Sequence, residues 1–194
     1  MSKFDFRAIL GLNKNKWLKS WIDRSLTDGI LVAAQIDKDL YLTNNYMLLE
    51  FKGISLYDDF SGDIKINRVR RSYIVEKDDN SKYVGAINNL KVDLESMEVI
   101  TTFDFDITSL TRVNAMYIVC SIYKYYGYIF DGGYAAEIML AMKHHSGGRA
   151  NFIIYKNGIM KIEAKDMNAY IGMIENDEII DKIVGGKNAK NSWE

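Results

Sequence analysis

The sequence predicts an α+β fold in which a strand–helix–three-strand unit, β-α-β-β-β, occurs near each end of the chain. In each copy, apolar residues at helical spacing precede three short apolar runs, which are separated by Asn, Asp or Gly. The copies occupy residues 4–51 and about 128–174. They share a pattern rather than residue identity, which predicts a pseudo-symmetric architecture with antiparallel sheets.

The length and composition permit one large domain or two small ones. The chain has 194 residues, of which 48% are hydrophobic and 26% are charged, an ordinary globular composition. The repeat predicts an N-terminal half at residues 1–100 and a C-terminal half at 101–184, followed by a flexible polar tail at 185–194. One elaborated domain is the alternative.

The first unit begins with a short predicted strand at residues 4–6 and a helix at residues 12–26. Asn13 is the candidate cap, and the apolar stripe of the helix consists of Trp17, Leu18, Trp21 and Ile22. Asp28 and Gly29 turn the chain into three predicted strands, at residues 30–36, 39–43 and 46–51.

The middle of the chain is less regular. Residues 64–76 and 83–94 favour strands, and residues 99–107 alternate apolar and polar side chains as a half-buried strand does. Residues 110–126 favour a helix capped by Thr108 or Ser109, with a strand as the alternative.

The second unit has clearer punctuation. Residues 134–145 predict a helix capped by Asp131 and ended by the Ser-Gly-Gly sequence at 146–148. Strands are predicted at residues 149–155, 159–163 and 169–174, and the Asn157-Gly158 pair is a strong hairpin signal. Residues 177–184 are compatible with a short amphipathic helix.

Enzyme chemistry is not indicated. The sequence has no phosphate-binding glycine loop, no nucleophile elbow and no His-Glu-x-x-His motif. Cys120 lies in an apolar run, which predicts a buried thiol. His144 and His145 are adjacent on a helix and therefore point in different directions. Asp58, Asp59 and Asp63 are typical of solvated loops. We expect no catalytic residue, no metal and no cofactor.

Hydropathy and composition indicate the cellular location and the source of the protein. No apolar run approaches the ~20 residues that span a bilayer, so we expect a soluble cytoplasmic protein with no membrane partner. The abundance of Ile, Asn, Lys and Tyr is typical of AT-rich genomes. It indicates a low-GC bacterium or its phage, and a phage protein would act in the host cytoplasm.

Basic residues occur in local groups although the net charge is −1. One group lies on the first predicted helix, and another lies at the end of the helix at 134–145. The densest run contains Lys65, Arg68, Arg70 and Arg71. This run is compatible with a phosphate backbone and equally with a sheet edge that is protected by charge.

The two terminal blocks resemble the bacterial sliding-clamp family, the β subunit of the replicative polymerase. The run ILVAAQIDKDLYLTNNYMLLE at residues 30–50 is similar to the family's apolar strand, turn, Leu-x-Leu-x-Ala-Thr-Asp segment and following strand. YAAEIMLAMK at residues 134–143 resembles its last helix, and AYIGMI at residues 169–174 its terminal strand. The family's Met-Pro-Met strand is absent, because the chain has no proline. A reduced phage clamp fits these features.

The resemblance implies a processivity factor of DNA replication, with helices inside a homo-oligomeric ring and sheets outside. Such a ring binds duplex DNA without sequence preference and docks a polymerase or another replication protein. The implied DNA-binding residues are Lys14, Lys16, Lys19, Arg24, Lys143, His144 and Arg149, for which simple solvation is the alternative. Ile171 and Met173 match partner-binding positions, with core-facing strand residues as the alternative. The alternative function is a non-enzymatic phage interaction protein, either a clamp mimic or an inhibitor of a host protein.

Overall fold

The protein is described by a computed structural model over residues 5–44, 46–78 and 81–174. These residues form five α-helices, one 3₁₀ turn and nine strands. The elements in chain order are α1 (Phe6–Ile9), α2 (Lys16–Thr27), β1 (Val32–Ile36), β2 (Asp39–Thr43), β3 (Met47–Phe51), β4 (Gly62–Val69), β5 (Ser72–Asp78), α3 (Lys82–Ser96), β6 (Val99–Asp106), the 3₁₀ turn (Ile107–Ser109), α4 (Arg112–Tyr126), α5 (Gly132–His145), β7 (Arg149–Tyr155), β8 (Ile159–Glu163) and β9 (Met167–Gly172).

The strands form one sheet in the order β5-β4-β1-β2-β3-β9-β8-β7-β6, and every neighbouring pair is antiparallel. The pair β3–β9 lies at the centre of a pseudo-two-fold arrangement. On one side β2, β1 and β4 follow β3, and on the other side β8, β7 and β6 follow β9. The predicted α+β class with a repeated unit and an antiparallel sheet is confirmed.

The two β-hairpins of the repeats form where turn residues predict them. Asp37 takes a left-handed backbone (φ 54°) between β1 and β2, and Gly158 does so (φ 79°) between β7 and β8. Gly158 has a second constraint, because a Cβ there would clash with the Met173 side chain. The strands at 39–43, 149–155 and 159–163 have the predicted bounds.

Four helices cover one face of the sheet, and α3 covers part of the other. On α2, the side chains of Leu18, Trp21 and Ile22 are buried in the main core, as the apolar stripe predicted. On the opposite face, Ile87 and Leu94 of α3 pack in a smaller cluster with strand residues, among them Tyr41, Leu48 and Tyr170. Helices α1, α2, α4 and α5 therefore share one face of the sheet, whereas α3 lies on the other face. Whether the shared face lines the inside of a ring stays a prediction.

Two predicted strands are wrong. Residues 83–94 belong to helix α3, whose apolar residues Ile87, Leu90 and Leu94 recur at helical spacing. Residue 6 is helical, since the Asp5 side chain accepts a hydrogen bond from the Ala8 N–H and begins α1. Phe4 lies outside the described residues.

Three predicted details of the helices also change. Asn15, not Asn13, caps α2 by accepting from Leu18 N–H at 3.1 Å. Residues 112–126 form the predicted helix rather than the alternative strand, but Thr111, not Thr108 or Ser109, caps it. Cys120 is exposed rather than buried, because α4 packs through Ala115, Val119 and Ile122 and turns its other face outward.

The division of the chain into residues 1–100 and 101–184 stays a prediction. The sheet is continuous across the two halves through the β3–β9 pair. The predicted helix at 177–184 and the predicted tail at 185–194 lie outside the described residues.

Candidate nucleic-acid interface

The basic helices α2 and α5 pack side by side and run in opposite directions. At one end, Asn15 Nδ2, at the start of α2, donates to the Ala141 carbonyl near the end of α5 at 2.8 Å. At the other end, Arg24 pairs with Glu137 and lies 4.6 Å from the centroid of the Tyr134 ring. The two helices therefore present one joint surface, with the start of α2 beside the end of α5.

The predicted DNA-binding residues of the first unit differ in how freely they could meet an anion. Lys14 and Lys16 are exposed, and no described carboxylate pairs with either. Lys19 pairs with Asp23 one turn later. Arg24 is paired with Glu137. The available positive charge of α2 is therefore concentrated at its start.

The predicted DNA-binding residues of the second unit also differ in exposure and in their partners. Lys143 is half-buried and donates to the Leu110 carbonyl at 2.9 Å, while His144 is exposed. Arg149 Nη2 lies 3.6 Å from Asp104 Oδ2, and both groups are exposed. His145 packs edge-on to Phe51, where burial lowers its pKa despite Asp166 nearby.

The structure brings one further cation to the start of α2. Arg112, at the start of α4, lies 6.0 Å from the centroid of the Trp17 ring, and Lys16 lies 5.1 Å from it. Because Asn15 contacts Ala141, the chain at Lys143 and His144 follows close by. Arg112 was not among the residues predicted from the sequence, since its position depends on how α4 packs.

A second basic group lies at the turn end of the β4–β5 hairpin. It contains Arg68, Arg70 and Arg71 of the densest basic run, and it is joined by Arg7 of α1 and by Lys19. The sequence indicated the run without its partners from the helices. Lys65 of the same run instead faces Asp78 at 3.8 Å.

A buried polar cluster, which was not predicted from the sequence, surrounds Glu50 of β3. Its carboxylate accepts from Tyr41 Oη at 2.7 Å, Lys91 Nζ at 2.8 Å, Asn168 Nδ2 at 2.8 Å and Tyr170 Oη at 2.9 Å. Burial alone would raise the pKa of Glu50, but the hydrogen bonds from Lys91, Tyr41 and Asn168 outweigh it and hold the pKa at about 2. The sequence signal for this cluster was Glu50 itself, the charged residue in the otherwise apolar strand β3.

The carboxylate of Glu50 is fully engaged, which favours a structural role over a chemical one. Burial, together with the adjacent Glu50 charge, raises the pKa of both the Tyr41 and the Tyr170 phenols. Asp63 is likewise buried and accepts from the N–H groups of Tyr83 and Val84 at the start of α3. It caps a helix, so the loop-solvation prediction for Asp63 is wrong.

The two predicted partner-binding residues lie at different depths. Ile171 has 1% of its surface exposed and packs in the main core. Met173 follows β9, is half-buried and donates its N–H to the Gly158 carbonyl at 2.9 Å. Partner binding at these positions stays a prediction, and Met173 is the residue of the two that reaches the surface.

Helix α4 exposes large apolar side chains. Val113, Tyr117 and Tyr125 have 62%, 69% and 70% of their surface exposed.

Among the described residues no cluster of three or more His, Cys, Asp or Glu is arranged to hold a metal. In the same part of the chain, no helix has the length and apolar character to cross a bilayer.

The fold defines an α+β protein in which a helix-and-three-strand unit is repeated about the centre of one antiparallel sheet. Solved structures with a similar fold include bacterial sliding clamps. The sliding clamp of Pseudomonas aeruginosa, solved with a ligand, aligns with 87% of this chain and 63% of its own, at 8% identity and a TM-score of 0.45. DNA polymerase III subunit beta of Borrelia burgdorferi, solved with a natural product, aligns with 84% of this chain and 64% of its own, at 9% identity and a TM-score of 0.44.

This chain spans less than two thirds of the length of either clamp. The clamp-like fold expected from the sequence is thus found at low identity, and the likeness concerns the fold alone. No protein-family profile and no curated protein matches the sequence.

Proposed function

We propose that the protein is a sliding-clamp-like processivity factor, which holds duplex DNA without sequence preference and docks a polymerase or another replication protein. The observation that carries the proposal is the pseudo-symmetric sheet with the equivalent helices α2 and α5 on one face. Their joint surface offers Lys14 and Lys16 to a phosphate backbone. Contacts of this kind hold DNA without reading bases.

A clamp also has to enclose the DNA, and the sheet offers a means of doing so. Strands β5 and β6 are the two edges of the sheet, at opposite ends of its strand order. Edge strands present unpaired backbone groups that pair readily with another chain. Head-to-tail pairing of β5 with β6 of a second copy would give a closed ring of identical interfaces.

The test is retention on DNA of different topology. A ring stays on closed circular DNA and slides off the same DNA once it is linearised. We expect the double variant Lys14→Glu/Lys16→Glu to lose at least tenfold in affinity for a short duplex at low salt, because two phosphate contacts become repulsive. Gel filtration of protein–plasmid mixtures and fluorescence anisotropy measure the two effects.

The matched control is Lys38→Glu, which reverses an exposed lysine in the β1–β2 turn. This variant should bind DNA as the unmodified protein does. A protein that is strictly monomeric and has no affinity for DNA at low salt would contradict the proposal.

The second candidate is a non-enzymatic interaction protein that occupies a partner without touching DNA. The exposed apolar side chains of α4 favour it, because a protein-binding surface often contains such residues. Binding to a replication protein that is unchanged by Lys14→Glu/Lys16→Glu but abolished by Tyr117→Ser would support this candidate over the first.

A further inference from the structure

The turn end of the β4–β5 hairpin forms a basic cavity of about 260 Å³. It is lined by Arg7, Lys19, Arg68, Arg71 and Tyr73. Three elements that are distant in the sequence build it: α1 supplies Arg7, α2 supplies Lys19, and the hairpin supplies the rest. Four cations thus converge on one concave site in a protein whose net charge is −1.

Asp23 of α2 is the carboxylate that partners these cations, and its oxygens are already engaged. Oδ2 pairs with Lys19. Oδ1 accepts from Tyr73 Oη at 2.6 Å and lies 3.4 Å from Arg68 Nη1. Within the described part of the chain, no carboxylate pairs with Arg7 or Arg71. The site therefore retains positive charge that the protein itself does not neutralise.

Arg7 also has a hydrogen-bond donor that the protein leaves unused. Its Nη1 donates to the Arg71 carbonyl at 3.1 Å, which fixes the guanidinium at the cavity. Its Nε is buried and has no partner among the described residues. A buried donor without an acceptor is costly, so an anionic oxygen at this point would be stabilised.

The positive charge continues along the hairpin. A neighbouring cavity of about 420 Å³ is lined by Leu26, Thr27, Asn67, Arg68 and Arg70. Arg68 belongs to both cavities, and its Nε donates to the Arg70 carbonyl at 3.3 Å. A single free phosphate would occupy one of these cavities, whereas a nucleic-acid backbone could place successive phosphates in both. The two adjacent cavities therefore favour a chain of phosphates.

Protection of the sheet edge does not account for this arrangement. Charges that protect an edge strand need only lie along its exposed side, as Glu76 and Lys77 of β5 do. Arg68 and Tyr73 are instead a cross-strand pair whose side chains both contact Asp23 of α2. They lie on the helix-covered face, where Arg7 meets them.

We propose that this cavity binds a phosphate group of a nucleic-acid backbone. Arg7 Nε and the Arg71 guanidinium are the donors, and Arg68 and Lys19 add charge. Planar guanidinium groups suit phosphate oxygens because they can donate two parallel hydrogen bonds. The identification of duplex DNA as the source rests on the proposed function. The contact lies beside α2. Lys19 is among the DNA-binding residues implied by the resemblance, Arg68 and Arg71 belong to the basic run that the sequence indicated, and Arg7 and Tyr73 are added by the fold.

The test uses the full chain and the salt dependence of DNA binding. Removing one phosphate contact lowers the slope of log K against log salt by about 0.9. We expect Arg71→Gln to lower the slope by about that amount between about 50 and about 200 mM salt, measured by fluorescence anisotropy on a duplex. Lys165→Gln, at an exposed lysine in the β8–β9 turn, should leave it unchanged.

Arg71→Lys separates charge from geometry. Lysine keeps the positive charge but lacks the planar guanidinium that donates two parallel hydrogen bonds. We therefore expect an unchanged slope of log K against log salt and a weaker affinity for DNA. Arg71 is exposed and has no described ion pair, so the thermal unfolding midpoint should be unaffected in both variants. If Arg71→Gln unfolds, the comparison of Arg71→Lys with the unmodified protein carries the test.

The source of the phosphate is tested with inorganic phosphate. The Arg7 Nε–H resonance of ¹⁵N-labelled protein should shift on titration, and the shift should disappear in Arg71→Gln. Phosphate binding by a protein that binds no DNA would overturn both the nucleic-acid source and the proposed function.

Two other results would overturn the cavity alone. One is an unchanged salt slope in Arg71→Gln and Arg7→Gln while DNA binding persists, which would leave the proposed function intact. The other is loss of self-association in Arg71→Gln, measured by light scattering, because the arginines would then belong to an interface between copies.

Discussion

The Glu50 carboxylate joins three elements through one side chain. It lies in β3, and its partners come from β2, α3 and the facing strand β9. Because Lys91 is the partner on α3, the ion pair holds that helix against the sheet. Removing one member of a buried pair leaves the other uncompensated, which costs more than the pair itself contributes.

We therefore expect Glu50→Gln to lower the free energy of unfolding at pH 7 by about 3 kcal/mol. A glutamine must place its N–H₂ group against either Lys91 Nζ or Asn168 Nδ2, each of which is also a donor. Urea unfolding measures the loss. Glu95→Gln, at an exposed position of α3, should stay within about 0.5 kcal/mol of the unmodified protein. Equal losses in both variants would contradict the role of Glu50.

The same carboxylate makes stability depend on pH. Its pKa falls from an ordinary 4.5 to about 2 on folding, so the unfolded chain binds the proton more readily. The stabilisation is complete above pH 4.5 and disappears as the pH falls towards 2. The difference corresponds to about 3 kcal/mol. In Glu50→Gln, the decline in stability between these pH values should be smaller by that amount.

Helix α3 shows where local sequence and the surrounding structure disagree. Its start bears Tyr83 and Val84, residue types that favour strands. Ser81 occupies the N-cap position, but its side chain makes no capping hydrogen bond. The acceptor is Asp63, about twenty positions earlier in β4, and local sequence does not indicate that contact. The β7–β8 hairpin was predicted with its bounds because the Asn157-Gly158 turn and the flanking strands are adjacent in the sequence.

In the candidate site too, contacts between residues close in the sequence were predictable, and contacts between distant residues were not. The pairing of Lys19 with Asp23 follows helical spacing and was open to prediction from the sequence. Arg24 and Glu137 are separated by 113 positions, so their pairing depends on how α2 packs on α5. For the same reason Arg7 could not be connected with Arg71 before the fold was known.

A substitution at Asp63 tests the cap of α3. Asp63→Ala removes the acceptor for two half-buried backbone N–H groups, and we expect a loss of about 1 to 2 kcal/mol in unfolding free energy. Hydrogen exchange at Tyr83 and Val84 should accelerate more than exchange in α5. Asp58→Ala, at an exposed aspartate in the loop before β4, is the matched control. A similar change in both variants would exclude the capping role.

At the scale of the whole molecule, the near-neutral net charge and the local basic surfaces act together. A net charge of −1 gives no general attraction to DNA. Positive charge is concentrated instead at the start of α2 and at the β4–β5 hairpin, both on the helix-bearing side. Under the proposed function, such a distribution would leave the helix-bearing surface as the part of the protein that attracts phosphates.

Ring closure gives the prediction that belongs to this scale. Ile74 of the edge strand β5 is 42% exposed. If β5 pairs with β6 of a second copy, Ile74→Lys places a charge in that interface and should convert the oligomer to monomers in light scattering. Retention on circular DNA should be abolished, while affinity for a short linear duplex changes little. Val92→Lys, at a position of α3 that is 64% exposed, is the control. An oligomer that survives both Ile74→Lys and Val99→Lys on β6 would show that the sheet edges do not close the ring.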